Sequence, residues 1–381
     1  KGGELMAKTK LMPFDQALEL FEPVIGLEVH VELNTKTKMF SSAPNVFGSE
    51  PNTNLTPVCL GLPGSLPVVN DQAVRYSISL GLALGCEIAE VSGFARKNYF
   101  YPDMAKNYQT SQLDLPLCLG GEVPLYPWSY PNDVIKAGVP PFRTVKLTRI
   151  HLEEDAAKIT HHANYSLIDY NRAGSALMEI VSDPDIDTPE EAYAYLKSLQ
   201  QILNYGDISD ADMEKGQMRC DVNISLRPHG QKELGAKVEM KNLNSMSAVR
   251  RALHYEIQRQ AEELDMGIAQ IQSTRRWDDE RGESSIMRTK EDAHDYRYFP
   301  CPDLVPIHTA PLVERVRSQI PELPQERQKR FMEEYGLSEY DANVLVGDLE
   351  LARFFEEAAQ GTASGKKIAN WVINNISAVL N

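Results

Sequence analysis

The chain has 381 residues, 42% hydrophobic and 24% charged, an ordinary globular composition with room for two or three domains. Its net charge of −15 excludes a protein that holds nucleic acid through its overall field, so any RNA contact must be a local patch or a partner's task. No run of about 18 apolar residues occurs, which gives no support for a membrane span.

Taken in chain order, residues 1–13 read as a tag-derived or disordered start with no cleavable leader. From about 22 to 310, short alternating segments broken by Gly, Pro, Asn and Asp predict antiparallel strands and hairpins. Two helices interrupt them. Thr188-Pro189-Glu190-Glu191 opens one, with an N-cap, a proline at the first helical position and acids in the first turn, and Gly206 stops it. Asn244-Ser245 opens the other, where Val249, Leu253 and Ile257 recur at helical spacing before Gly267. After the proline-rich stretch from Pro300 to Pro324 the period is helical throughout. The expectation is therefore an α+β protein, with a sheet domain over 14–310 and an all-helical domain over 311–381. The five cysteines are odd in number, far apart and never in a Cys-x-x-Cys pair, which fits reduced thiols in the cytoplasm and no structural zinc.

Three segments carry chemistry on one face. In Val24–Leu33, Leu27, Val29, Val31 and Leu33 alternate with Glu28, His30 and Glu32, so a strand puts the carboxylates and the imidazole together. Arg219–Leu226 repeats this with Arg219, Asp221 and Asn223, and Lys237–Lys241 with Lys237, Glu239 and Lys241. A solvated sheet face is the plain reading of any one strand. Three such strands, with acids and bases evenly mixed, point to a site. Glu179 lies between apolar neighbours in Leu177–Val181, where an ionised carboxylate needs a partner. That partner is either a divalent cation or an arginine such as Arg172 or Arg219. Oxygen-rich ligands with a single histidine suit Mg²⁺ or Mn²⁺.

VIGLEVHVEL, CLGLPGSLPVVN, RKNYFYPDMAKNYQTSQ, RIHLEEDAAK, LMEIVSDPD, MRCDVNISLRP, KVEMKNLNS and MRTKEDAHDYRYFPCPDL follow one another between about residues 22 and 306. In this order they resemble the B subunit of the aspartyl/glutamyl-tRNA amidotransferases. The resemblance implies a cradle domain related to glutamine synthetase folds, with a divalent-metal and ATP site on an antiparallel sheet. By position it implies Glu28, His30, Glu154, Glu179, Asp221 and Glu239 as metal ligands, although a strand would point only one of Glu153 and Glu154 inward. Arg96, Lys97, Arg219, Lys237, Lys241 and Arg297 become candidates for phosphate or carboxylate contacts. The implied reaction is ATP-dependent phosphorylation of the side-chain carboxylate of Glu or Asp esterified to tRNA, followed by displacement of phosphate by ammonia. A non-catalytic subunit that docks tRNA is the alternative.

There is no Walker motif, no Gly-x-Ser-x-Gly elbow and no cysteine with an assignable catalytic partner, so the chain shows no way to hydrolyse glutamine. The resemblance assigns that step to an amidase-type A subunit and adds a small C subunit. Full members continue past the position of Asn381 into a tail domain that grips tRNA. In the helical domain Arg327, Lys329 and Arg330, or Lys366 and Lys367, are the expected phosphate patches. Ala176, Ala236 and the missing first cysteine of the pair that would end at Cys59 depart from the family pattern.

Overall fold

The computed structural model describes residues 11–289, 295–361 and 364–376. Residues 1–10 of the expected disordered start, 290–294 of the Met287–Leu304 stretch and 377–381 of the last expected helix lie outside the described residues. Residues 11–13 are part of the fold. Met12 is 2% exposed within the main core, and its carbonyl accepts a hydrogen bond from Gln258 Nε2 at 2.9 Å.

A ten-stranded sheet forms the centre of the first unit. Its middle strands run in the order Val238–Lys241, Met218–Pro228, Phe21–Glu32, Ala176–Ser182 and Thr144–Glu154, each antiparallel to its neighbour. The sheet is not wholly antiparallel as expected. Val238–Lys241 pairs in parallel with Ser273–Asp278, because the 20-residue helix Met246–Asp265 carries the chain back across the sheet between them.

Alternation decides which face is core. Leu27, Val29, Val31, Ile150, Leu152, Met178, Ile180, Val222, Ile224, Val238 and Met240 all belong to one buried cluster, with the helices Pro189–Tyr205 and Met246–Asp265 contributing Leu196, Leu199, Val249 and Leu253 to it. Both helices start as their sequences demand. Thr188 Oγ1 accepts from Glu191 N at 3.1 Å, and Ser245 Oγ accepts from Ala248 N at 3.0 Å. With one face committed to the core, the polar residues between these positions share the other.

A second, smaller core is built by Pro324–Tyr335, Glu339–Val346, Leu349–Ala359 and Gly365–Trp371, with Phe331, Phe355, Leu345 and Val346 at its centre. It begins at 324 rather than 311. The helix Ala310–Arg317 packs on Asp71–Ala83, and its Val316 belongs to the main core. The two cores meet at Trp128. Gln201 accepts from the Trp128 indole at 2.8 Å and donates to the Gly347 carbonyl at 3.0 Å, while Tyr205 OH donates to the Val346 carbonyl at 3.0 Å. Among the described residues no helix is long and apolar enough to cross a membrane.

Candidate active site

The polar face of the sheet forms the floor of a cavity of about 550 Å³. Strand register fixes its layout, with Arg219, His30, Glu179 and His151 lying in one cross-strand row. The neighbouring row holds Asp221 and Glu28. The strand Thr144–Glu154 contributes Arg149, His151 and Glu153 at alternate positions, followed by Asp155. Lys97, Tyr99, Tyr296 and Tyr298 complete the walls.

At the centre, His30, Glu153 and Glu179 offer ligand atoms that all lie within 4.8 Å of one another. His30 Nδ1 is 3.2 Å from Glu153 Oε1 and 4.0 Å from Glu179 Oε2. His151 Nε2 reaches the same Glu179 oxygen at 3.1 Å. Burial opposes protonation of His30, but Glu153, with Glu179 and Asp221 behind it, outweighs burial and pushes the imidazolium pKa up to about 9. Burial likewise opposes ionisation of Glu179, yet the bond from His151 and the charges of His30 and Arg149 hold its carboxyl well below the ordinary range. Excess negative charge thus collects where three donors converge. Two carboxylates and one imidazole at this spacing fit a hard divalent cation such as Mg²⁺ or Mn²⁺, with positions left open for other oxygen ligands.

Cations ring this centre. Lys241 Nζ bonds Asp221 and lies 3.1 Å from Glu239, and although burial opposes its charge, Asp221 and Glu239 raise its pKa. Arg219 bonds Asp155 at 2.8 Å, and Lys97 Nζ sits 4.7 Å from the centroid of the Tyr296 ring. Tyr298 is pushed up to about 12 by burial and by Glu153 and Glu179, so it stays a phenol.

The structure brings Glu28, His30, Glu179, Asp221, Lys97, Arg219 and Lys241 to one cavity. It does not bring Glu154 there. Leu152 lies in the core, so strand alternation turns Glu153 to the cavity and Glu154 away. Glu154 instead pairs with Lys106 and accepts from Thr110 N at 2.9 Å. Glu239 is not in the cavity wall either, being held by Thr274 Oγ1 at 2.7 Å and by Lys241. The same alternation separates Arg96 from Lys97. Arg96 pairs with Asp303 and stacks on Tyr108 at 4.2 Å. Arg297, with its side chain 83% exposed, points outward between Tyr296 and Tyr298, which line the cavity. Lys237 is exposed beside a second cavity along the same face. In the helical unit, Arg327 and Arg330 are engaged by Glu322 at 2.8 and 2.6 Å, which leaves Lys329, Lys366 and Lys367 as the exposed bases of the expected patches.

Glu153 enters the sequence-based reading only as the alternative to Glu154, and His151, Arg149 and Asp155 stand outside its implied ligand and cation sets. Leu152 carries the signal for all four, since an apolar residue at that position fixes the parity of its neighbours.

Fold and cavity define a class, that of proteins presenting an acidic centre ringed by cations on a mixed sheet backed by helices. Residues 23–313 match the GatB/GatE catalytic domain, and the chain belongs to that family. Its relatives include the B subunit of the aspartyl/glutamyl-tRNA(Asn/Gln) amidotransferase of Methylacidiphilum infernorum, 54% identical over 94% of this chain and 74% of that protein. The proteins of the same name from Carboxydothermus hydrogenoformans and Persephonella marina are 53% and 52% identical, each over 95% of this chain and 74% of the relative.

Proposed function

We propose that the chain is the carboxylate-activating subunit of a tRNA-dependent amidotransferase, acting on Glu-tRNA(Gln), Asp-tRNA(Asn) or both. The observation that carries this reading is the convergence of His30, Glu153 and Glu179 within 4.8 Å, beside Lys97, Arg219 and Lys241 in one cavity. A carboxylate is a poor acyl electrophile, and phosphorylation turns its oxygen into a leaving group. Transfer from ATP needs neutralised charge and in-line positioning more than covalent help.

In this reading His30, Glu153 and Glu179 hold a Mg²⁺ or Mn²⁺ ion, which when bound neutralises phosphate oxygens. His151 fixes Glu179 for that task from the next strand. Lys97, Arg219 and Lys241 meet the remaining charge on the phosphates and on the substrate carboxylate. A carboxylate oxygen attacks the γ-phosphorus, the bond to the β-phosphate oxygen breaks, and ADP leaves. Ammonia then attacks the acyl carbon, and phosphate departs with the electrons of the C–O bond while the nitrogen loses a proton. The ammonia comes from an amidase-type A subunit accompanied by a small C subunit, the complex working in the cytoplasm. The kinship of the cradle to glutamine synthetase folds belongs to the same reading.

The test is hydroxylamine trapping in the assembled complex. With ATP and misacylated tRNA, the wild-type complex yields the amino-acyl hydroxamate at the side-chain carboxyl, whereas Glu179→Ala yields none. Equal trapping by both, or trapping without ATP, refutes the proposal, and a wild-type complex that transamidates without consuming ATP does the same.

A further inference from the structure

Lys38 is 1% exposed, and its backbone is fixed from both sides. Its N–H donates to the Ala43 carbonyl at 3.0 Å, and its carbonyl accepts from Asn70 Nδ2 at 3.1 Å. Its Nζ donates to the carbonyls of Ala173 and Tyr170 at 2.7 and 3.3 Å and reaches Cys59 Sγ at 3.8 Å. An ammonium buried this deeply needs a counter-ion. Asp169 and Glu154 act on it only as more distant charges. Among the described residues, the group in contact with Nζ that can carry the opposite charge is therefore the Cys59 sulfur.

The surroundings of that sulfur suit a thiolate. Ser41 Oγ and Thr56 Oγ1 lie 3.3 and 3.4 Å from Sγ, each able to donate to it. Burial opposes ionisation of Cys59, but these two hydroxyls and the charge of Lys38 outweigh it and hold the thiol below its ordinary value. Burial also lowers the pKa of Lys38 against the pull of Cys59, so this amine sheds its proton more readily than an exposed lysine. Cys59 sits in the turn 57–61, whose Pro57 and Gly61 face solvent, which gives a small oxidant a short path. Three other buried thiols lack such company. Cys86 and Cys118 point at the carbonyls of Gly120 and Ser77, and burial pushes Cys86 up to about 11 and raises Cys118 and Cys220 as well.

We infer that Lys38 and Cys59 form a peroxide-sensitive modification site, at which oxidation of the sulfur leads to a covalent sulfenamide bond between Sγ and Nζ. The thiolate attacks hydrogen peroxide, the O–O bond breaks, and the sulfur keeps one OH as a sulfenic acid. The hydroxide released takes a proton from the Lys38 ammonium and leaves as water. Loss of the thiolate charge favours this transfer, because the buried ammonium no longer has its counter-ion. The free amine then attacks the sulfur, forming the S–N bond as the S–O bond breaks, and the departing hydroxide leaves as water with one amine proton. The remaining N–H can still donate to the Ala173 carbonyl. Two equivalents of a small thiol reverse the bond, restoring thiol and amine and forming one disulfide. The bridge pins the turn 57–61 to a residue 21 positions before Cys59.

The experiment treats the folded chain with hydrogen peroxide, digests it with trypsin and maps the peptides by mass spectrometry, with and without dithiothreitol. Lys38→Arg, which keeps the charge, and Cys59→Ser accompany the wild type, with thermal melting as a control for folding. In the wild type the peptides holding Lys38 and Cys59 should appear linked, lighter than their sum by two hydrogens, with cleavage after Lys38 lost. Dithiothreitol should restore both peptides. Cys59 should react at least about tenfold faster than Cys86, Cys118 or Cys220. Lys38→Arg should give a sulfenic acid at Cys59 that dimedone traps, and no link, while Cys59→Ser should leave cleavage after Lys38 intact. A folded wild type whose Cys59 stays a thiol, or oxidises without linking, would overturn the inference. So would a link that retains a peroxide oxygen, or equal reaction of the other three thiols. If no single-residue variant melts like the wild type, the wild-type map alone decides between these outcomes.

Discussion

The Oε2 atom of Glu179 lies 3.1 Å from Nε2 of His151, two residues paired directly across adjacent antiparallel strands. The side chain of His151 is 3% exposed and that of Glu179 is 13% exposed. The contact orients one oxygen of a carboxylate that also faces His30. His151→Ala should weaken Mn²⁺ binding about 10- to 100-fold, the usual cost of losing an orienting partner, while leaving the other two donors in place. Mn²⁺ titration followed by electron paramagnetic resonance checks this. Unchanged affinity would show that Glu179 needs no such support.

Salt dependence separates the basic residues of the helical unit. Lys366 and Lys367 are exposed at the start of Gly365–Trp371, whereas Arg327 and Arg330 are engaged by Glu322. If the two lysines contact phosphates, replacing both by Ala should reduce the slope of log affinity for tRNA against log salt by about 2. Arg327→Ala should leave that slope unchanged. Filter binding of tRNA over a range of salt measures both, and a larger effect from Arg327 would reverse the assignment.

Acid stability offers a check on the junction of Pro189–Tyr205 with Met246–Asp265. Burial opposes ionisation of Glu190, but bonds from His254 and Arg250, at 2.8 and 2.9 Å, hold its carboxyl below the ordinary range. A carboxyl depressed in the folded state contributes stability above its unfolded pKa and loses it as pH falls toward the folded value. The melting temperature should therefore fall more steeply for the wild type than for Glu190→Gln between about pH 5 and about pH 3. Parallel curves would contradict this.

The second core depends on few residues. Phe331 is fully buried, with edge-to-face contacts to Phe355 at 5.0 Å and Tyr335 at 5.8 Å. Phe331→Ala should destabilise this unit by about 3–5 kcal/mol, read from urea unfolding. Mn²⁺ binding should persist, because none of its side-chain donors comes from these helices.

Much of this was legible in the sequence. Thr188 and Ser245 announced their helices through capping chemistry that acts within a few residues, and Leu27, Val29 and Val31 announced a strand with a core face and a polar face. The pairing of His30 with Glu153, 123 residues apart, was not legible, because register is set by packing across the whole sheet. Runs of adjacent charged residues are ambiguous in Glu153-Glu154 and in Arg96-Lys97. Alternation sends one member inward, and the charges alone do not say which. For Glu153, the neighbouring Leu152 decides it. The parallel strand Ser273–Asp278 was hidden for a different reason, since an alternating pattern is the same in either direction.

The proposed function rests on Glu153, and not Glu154, completing a cation centre with His30 and Glu179. Its most direct test is Mn²⁺ binding by paramagnetic resonance in Glu153→Gln and Glu154→Gln, with thermal melting as a control for folding. Glu153→Gln should lose at least about tenfold in affinity, and Glu154→Gln should bind as the wild type does. Loss in Glu154→Gln with full binding in Glu153→Gln would contradict the proposal, as would a folded wild-type chain that binds no Mn²⁺ at all.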